Sequence, residues 1–320
     1  MITFALRRVL AMIPLLILIS VTVFTLAKLM PGDPFSGEID PNNTNPQYIA
    51  EQREALGLND PIIVQYGRWI SNLAQGEFGR STTYKKPVTD VIVERLPNTI
   101  FLAINALLIT YIIAFVLGIY SGRKPHTLGD NFIATFNYVG IAIPQYIVAI
   151  VAIYTLSFNL GWFPSSGSSS PNLEAGSFDY WIDRIHRVIL PAFSLGLLST
   201  ASYTQFLRND IIQNAQKDFV RSARARGTKE SKIYNKHILR NSVIPLITFL
   251  GFDIATLISG AIITETIFTY PGIGMLFIES INTRDYAVLM SLTMIFALLT
   301  LVGNLIADVL YGVVDPRIRY

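Results

Sequence analysis

The sequence contains no cysteine and only three histidines, and only 15% of its residues are charged. Without cysteine, disulfides, thiolate metal sites and thiol catalysis are excluded. The phosphate-binding pattern G-x-x-x-x-G-K-[ST] is absent, and no glycine is followed by lysine. Because that loop cradles nucleotide phosphates, any ATP chemistry would come from another subunit. No H-E-x-x-H cluster and no G-x-S-x-G elbow occurs, so neither a zinc site nor nucleophilic catalysis is predicted.

Long apolar runs make up much of the chain instead. Hydrophobic residues account for 51% of the sequence, well above the composition of a soluble domain. The runs are long enough to cross a bilayer as helices. Six of them are predicted as spans: 9–30, 99–120, 131–157, 188–207, 243–268 and 287–312. The predicted fold class is therefore an all-α, polytopic membrane protein with a six-helix bundle.

Charge placement gives the expected orientation. Arg7 and Arg8 precede the first span, and Arg317 and Arg319 follow the last one. Short loops on the cytoplasmic side carry an excess of Lys and Arg, so both termini are expected in the cytoplasm. The net charge of +3 is small and the basic residues sit at membrane edges, which argues against a nucleic-acid partner.

Residues 218–245, named the basic segment here, form the one long basic, polar stretch between two spans. An apolar residue recurs every four positions through its start and predicts one short helix, at Ile211, Ala215, Phe219 and Ala223. Gly227 is expected to end this helix, because glycine adopts the left-handed conformation without steric cost.

A second helix is predicted after that glycine. Thr228 can cap it and Glu230 lies in its positive first turn. One face of this helix would be shared by Ile233, Tyr234, His237 and Ile238. The two helices would form a compact element whose apolar side chains enter a groove on a partner.

The letters FVRSARARG and HILRNSVIP within the basic segment resemble the EAA loop of ABC importer permeases. They are most similar to the oligopeptide and dipeptide branch, first permease subunit. Arg221 replaces the acidic residue of the general pattern, Ser222 its first alanine and Arg240 its proline. The stretches GLNDPIIVQYGRWI, GEFGRS and ERLPNT resemble the same branch, so the similarity covers essentially the whole chain.

The resemblance implies a type I permease with two cytoplasmic coupling helices and a helical extracytoplasmic subdomain. It implies a second homologous permease, two ABC ATPases that hold ATP and Mg²⁺, an extracytoplasmic solute-binding protein and a peptide substrate. No cofactor is expected in this chain. Nickel complexes, glutathione and oligosaccharides stay open as substrates. The residues expected to couple to the ATPase are Phe219, Ala223, Arg224, Arg226, Gly227, Thr228, Ile233, Tyr234 and His237.

The predicted organisation follows the spans. Residues 1–30 form the first span with a cytoplasmic N-terminus, and residues 31–98 form the extracytoplasmic subdomain, in which 62–73 is an amphipathic helix. Residues 99–320 form a five-helix core. That core includes the cytoplasmic coupling loop, 208–242, and the C-terminus, 313–320. Gly140 and Pro144 could kink the third span.

Asp253 lies about ten residues into the fifth predicted span, roughly 15 Å deep at 1.5 Å per residue. A carboxylate at that depth is costly unless it faces a cavity or the bundle interior, so it is a candidate for the translocation pathway. A purely structural hydrogen bond to a neighbouring helix is the alternative. The other pathway candidates are Thr256, Ser259, Gly260, Thr264 and Asn105.

Glu265 and Glu279 flank the letters TYPGIG, and this region resembles the outer gate of the family. The gate residues would also include Tyr270, Pro271 and Gly272. Both glutamates could instead be solvated loop carboxylates.

A passive channel or an ion-gradient-driven transporter, with Asp253 as its coupling carboxylate, is the alternative function. It predicts flux that does not depend on ATP.

Overall fold

The computed structural model describes residues 2–29, 47, 50, 51, 54, 57–246, 249, 250, 253 and 261–314. These residues are predominantly helical. The helices are α1 Ile2–Leu29, α2 Ile62–Ala74, α3 Val88–Arg123, α4 Leu128–Ala142, α5 Gln145–Ala152, α6 Phe178–Ala215, α7 Asp218–Ala225, α8 Glu230–Lys232, α9 Ile262–Ile267, α10 Ile273–Asn282 and α11 Tyr286–Val314. Two stretches with π-helical winding continue α5 and α8, at Ile153–Asn159 and Ile233–Leu239.

Four of the predicted spans are confirmed by helices α1, α3, α6 and α11, which are long and apolar enough to cross a membrane. The broken pair α4 and α5 makes a fifth. Residues 247–248, 251–252 and 254–260 of the predicted span 243–268 lie outside the described residues, as does the C-terminal end, 315–320. The all-α fold class is confirmed.

Helices α3 and α6 run parallel and pack closely through glycine. A Cβ added at Gly122 would lie 2.8 Å from Ile211 Cβ, and one at Gly118 would lie 3.0 Å from Leu207 Cβ. Between the same helices, the hydroxyl of Thr110 donates to the carbonyl of Gly196 at 3.2 Å. Small residues let helix backbones approach in a membrane, where apolar burial alone gives no drive to associate.

The third predicted span is broken, not continuous. Helices α4 and α5 meet at an angle of 105°. The break falls at Ile143, whose backbone is extended at φ −85° and ψ 125°, just before Pro144. Proline sterically disfavours helical geometry in the preceding residue and has no N–H to donate, which explains the break. The expected kink at Pro144 is therefore a sharp bend.

Helix α2 confirms the predicted amphipathic helix and packs against α1 and α11. Trp69 is buried with its ring 5.7 Å from that of Phe24, and the hydroxyls of Tyr66 and Ser20 are 2.7 Å apart. The same cluster includes Met290 at the start of α11. One face of the helix thus packs on the bundle, and its other face is exposed.

Helix α3 begins at Val88, eleven residues before the predicted start at 99. The turn before it is fixed by Asp285, which accepts hydrogen bonds from the Ser81 hydroxyl at 2.5 Å and from the Thr83 N–H at 3.1 Å. Residues 88–98 therefore extend a core helix instead of belonging to a separate subdomain. Much of 31–56 lies outside the described residues.

The glycine packing predicts a position-specific cost. Gly122→Ala is expected to lower the free energy of unfolding by about 1–2 kcal/mol, because the new Cβ collides with Ile211. The control Gly67→Ala has no heavy atom within 4 Å of the added Cβ and sits on the exposed side of α2. It is expected to be neutral or to gain up to about 1 kcal/mol. Thermal unfolding of the purified protein in detergent measures both, and equal shifts would contradict the packing.

Candidate coupling element and translocation site

The basic segment begins with a separate short helix. Helix α6 ends at Ala215 and α7 starts at Asp218, with Lys217 at the cap position. The prediction of one helix carrying Ile211, Ala215, Phe219 and Ala223 was therefore wrong: a turn divides the four between two helices. All four still pack in one apolar cluster, which is why their spacing suggested a single stripe.

Gly227 ends α7 as predicted, at φ +71°. The N–H of Gly227 donates to the carbonyl of Arg224 at 2.9 Å, and the N–H of Thr228 donates to the carbonyl of Ala223 at 3.2 Å. This pair of bonds is the Schellman motif, which satisfies the last carbonyls of a helix and requires a left-handed residue. The turn between the two helices therefore has a defined geometry.

The second helix begins at Glu230, with Lys229 and not Thr228 at its cap, and no side-chain hydrogen bond caps it. The prediction for Thr228 was wrong. Glu230 lies in the first turn as expected, and its carboxylate accepts from Arg224 Nε at 2.6 Å. This hydrogen bond lowers the pKa of Glu230, and it links the two helices across the turn. Residues 240–246 continue the helix toward the fifth predicted span.

The apolar face of the basic segment is buried within this chain. Val220, Ala223, Ile233 and Ile238 are at most 2% exposed, in one cluster with Leu207 of α6. The expectation that these side chains enter a partner's groove is therefore wrong for this structure, because they already have intramolecular contacts.

Other residues of the element reach the surface. Arg224, Arg226 and Gly227 are exposed, and Phe219, Thr228, Tyr234 and His237 are half-buried.

Tyr234 joins the basic segment to α3. The guanidinium of Arg123 lies 4.0 Å from the centre of the Tyr234 ring, in cation–π geometry. Burial raises the pKa of Tyr234 to about 12, although the positive charge of Arg123 partly opposes this. The contact attaches the second helix of the segment to the end of a spanning helix.

A buried ion pair near the same end was missed by the sequence analysis. The guanidinium of Arg208 donates to both carboxylate oxygens of Asp130, with Nε 2.5 Å from Oδ1. Asp130 is fully buried and also accepts from the Ser121 hydroxyl and from the His126 N–H, the latter at 2.7 Å. It therefore joins α3, α4 and α6. In the sequence, Arg208 is only the first residue of the predicted coupling loop, 208–242.

Asp253 contacts two tyrosines from different helices. Tyr111 of α3 donates to Oδ2 at 2.8 Å, and Tyr203 of α6 donates to Oδ1 at 2.5 Å. Asp253 is 7% exposed, and within the part of the chain that the structure describes no cationic side chain pairs with it. The two tyrosine rings are 5.6 Å apart, and Phe249 stacks on Tyr203 at 5.3 Å.

Thr264 and Asn105, the other pathway candidates that the structure describes, have hydrogen-bond partners other than Asp253. Thr264 is buried and accepts from Gln145 at 2.9 Å, and Asn105 donates to the Phe101 carbonyl of its own helix at 2.8 Å. Their predicted pathway role stays a prediction. Thr256, Ser259 and Gly260 lie outside the described residues.

Glu265 forms a buried hydrogen-bond network at the far end of α3. Its Oε1 accepts from the Thr99 hydroxyl at 2.6 Å, and its Oε2 accepts from the N–H groups of Gly274 and Met275 at 2.7 and 3.0 Å. The Thr99 hydroxyl accepts from the Ile273 N–H at 2.9 Å. The N–H groups of Ile273, Gly274 and Met275 are the first three of α10. A carboxylate is favoured at a helix N-terminus by the helix dipole. The alternative interpretation, in which Glu265 is a solvated loop carboxylate, was therefore wrong, because Glu265 is fully buried.

The neighbouring gate candidates are held by the same region. A Cβ at Gly272 would lie 2.2 Å from a Glu265 oxygen, so only glycine allows this approach. Tyr270 is fully buried, and the carbonyl of Pro271 accepts from Asn98 at 2.9 Å. Glu279 accepts from the Tyr84 hydroxyl at 2.7 Å. The arrangement is a well-ordered segment, and its role as a gate stays a prediction.

Spanning helices, a basic surface element and a mid-bundle carboxylate together define a membrane transport subunit. Residues 114–320 match the family described as "Binding-protein-dependent transport system inner membrane component". Residues 1–103 match the N-terminal family of the same description, "Binding-prot-dependent transport system membrane comp, N-term". The chain belongs to this family of multi-pass inner-membrane permeases, in which the ATPase is a separate subunit.

Curated relatives match over the full length. The chain is 41% identical to the oligopeptide transport system permease protein AppB of Bacillus subtilis, over 100% of each chain. It is 34% identical to the dipeptide transport system permease protein DppB of Alkalihalophilus pseudofirmus, again over 100% of each chain. It is 32% identical to the glutathione transport system permease protein GsiC of Salmonella typhimurium, with the same coverage.

The network at Glu265 predicts a stability loss. In Glu265→Gln one acceptor oxygen becomes an amide donor and the charge is lost, so the free energy of unfolding should fall by about 2 kcal/mol. The control Glu77→Gln removes an exposed carboxylate and should leave it unchanged. Thermal unfolding in detergent measures both. An unchanged midpoint for Glu265→Gln would show that the network contributes nothing.

The Asp130–Arg208 pair predicts a coupling between two positions. Asp130→Asn leaves the Arg208 guanidinium buried without its carboxylate and should cost about 3–5 kcal/mol. Adding Arg208→Gln should cost less than the sum of the single changes, because both charges are then removed. Denaturant titration of the two single variants and the double variant gives the coupling, and strictly additive values would refute the pair.

Proposed function

We propose that this chain is one of two permease subunits of an ATP-driven importer of peptides, and that it forms half of the translocation pathway. The observation that carries the proposal is full-length similarity to permeases named for oligopeptide, dipeptide and glutathione transport. Glutathione is itself a tripeptide, so peptides are the common substrate class. Peptide length and the identity of the second permease are not part of the proposal.

The basic segment transmits motion from an ATPase subunit. Its turn is fixed by the Schellman motif at Gly227 and by the contact between Arg224 and Glu230. Its apolar side is packed on α6, and its second helix continues through residues 240–246. Because these contacts leave little freedom within the element, a push on its exposed surface moves the spans as a unit. The partner touches the exposed residues, including Arg226, and the buried Ala223 and Ile233 form the rigid base.

The other subunits complete the importer. Two ATPases bind ATP and Mg²⁺, a solute-binding protein delivers the peptide on the outer side, and both termini of this chain face the cytoplasm. ATP closes the ATPase pair and opens the cavity outward, and hydrolysis resets the bundle inward. This chain itself performs no catalysis. A passive or ion-driven transporter is not favoured, because the full-length relatives are binding-protein-dependent permeases.

A cross-linking experiment tests the coupling surface. The natural chain has no cysteine, so one introduced cysteine is unique in it. Ser222→Cys places a thiol on exposed α7, and Ser71→Cys places one on exposed α2, near the opposite end of the bundle. A thiol-to-amine cross-linker should join the ATPase subunit to the cysteine at 222 and not to the one at 71. Mass spectrometry of the complex identifies the products.

The control and the contrary result are both defined. Both variants should retain ATP-dependent uptake before cross-linking, since both serines are exposed. Cross-linking of the ATPase from position 71, or none from position 222 in a complex that still imports, would overturn the assignment of the basic segment.

A further inference from the structure

The charge of Asp253 is not matched by any cationic side chain in the part of the chain that the structure describes. Its two partners are the neutral phenols of Tyr111 and Tyr203, one on each carboxylate oxygen. A carboxylate can accept about four hydrogen bonds, so both oxygens retain acceptor capacity. A charge at membrane depth is costly unless it is paired or solvated. A cation from outside the chain would complete this site.

Aromatic rings cluster with the two tyrosines that hold the carboxylate. Tyr111 and Tyr203 lie 5.6 Å apart, Tyr203 and Phe249 stack at 5.3 Å, and Phe206 meets Phe249 edge-on at 5.1 Å. Ring faces attract organic cations, and most strongly where water is excluded. A carboxylate among aromatic faces is therefore the chemistry that recognises an ammonium group rather than an anion or a neutral sugar.

An apolar groove adjoins the site through Tyr111. A groove of about 290 Å³ is lined by Tyr111, by Leu250, and by apolar residues of α3 such as Ile104 and Leu108. Leu250 is three residues before Asp253, and Tyr111 both lines the groove and donates to Asp253. The apolar groove suits side chains or methyl groups, while the carboxylate behind Tyr111 suits a positive charge.

We propose that Asp253, Tyr111 and Tyr203 form a binding site for the ammonium group of the transported substrate. This inference rests on the peptide import proposed above and deepens it. The ammonium is the free N-terminus of a peptide or the side chain of a lysine, and the bound cation takes up the free acceptor positions of Asp253. The site thereby selects substrates with a primary amine over those that lack one.

Direct binding tests the proposal without the solute-binding protein, whose own selectivity would interfere. The complex purified through this chain is placed in nanodiscs, and saturation-transfer NMR is recorded with trialanine, N-acetyl-trialanine and an N-acetylated peptide containing one lysine. The wild type should bind trialanine about tenfold more tightly than its acetylated form, as for a charge-assisted hydrogen bond. Binding of the lysine peptide distinguishes a site that accepts any ammonium group from one that recognises only the N-terminal ammonium group.

Asp253→Asn keeps the shape of the side chain and removes its charge. It should abolish the preference for trialanine while leaving the weak binding of N-acetyl-trialanine within about twofold. The control Glu94→Gln removes an exposed carboxylate that pairs with Lys86 and should leave the preference intact. If Asp253→Asn does not assemble, Asp253→Glu keeps the charge and must keep the preference.

The outcomes separate the two proposals. Equal binding of the free and acetylated peptides by the wild type, an unchanged preference in Asp253→Asn, or its loss in Asp253→Glu would each overturn the ammonium site and leave Asp253 as a contact between helices. Peptide import is read separately in proteoliposomes with the binding protein and ATP. Absence of ATP-dependent uptake of any of the three peptides by the wild type would overturn the proposed function, whatever the binding result.

Discussion

The close parallel packing of α3 and α6 is the constraint on which the rest of the structure depends. Gly118 and Gly122 bring the two backbones together, and the helices then carry partner residues at matching levels. At one end Asn98 accepts from Arg184, at the middle Tyr111 and Tyr203 meet on Asp253, and at the other end Ser121 and Arg208 meet on Asp130 of α4. A wider separation of the helices would disrupt all three levels, because each needs both helices within hydrogen-bond reach.

Three of the buried carboxylates, Asp130, Asp253 and Glu265, are stabilised by different partners. Glu265 accepts from backbone N–H groups at a helix start, a contact that side-chain motion hardly alters. Asp130 is paired with a guanidinium, so its charge is matched within the chain. Asp253 has only neutral donors. Of these three carboxylates, Asp130 is the one with a cationic partner among the described residues, and Asp253 is the one held by hydroxyl groups alone.

Much of the fold could be predicted from sequence, because span-length apolar runs and the left-handed glycine at Gly227 are local features. The break at Pro144 was only partly anticipated, since a kink and a 105° bend share the same sequence pattern and differ in packing. Burial of Ala223 and Ile233 within the chain could not be predicted, because an apolar helix face looks the same whether its partner is internal or external. The Asp130–Arg208 pair joins residues 78 positions apart, and one sequence gives no sign of such a pairing.

The π-helical winding of Ile233–Leu239 has a geometric consequence for everything beyond it. A π turn holds more residues than an α turn, so this stretch contains more residues than an α-helix with the same number of turns. Rewinding it to α geometry would rotate the following helical residues about their axis and advance them along it. Residues 240–246 are those residues. A screw motion generated at the surface would thus reach the membrane end of the basic segment as a rotation of 240–246 about their helix axis.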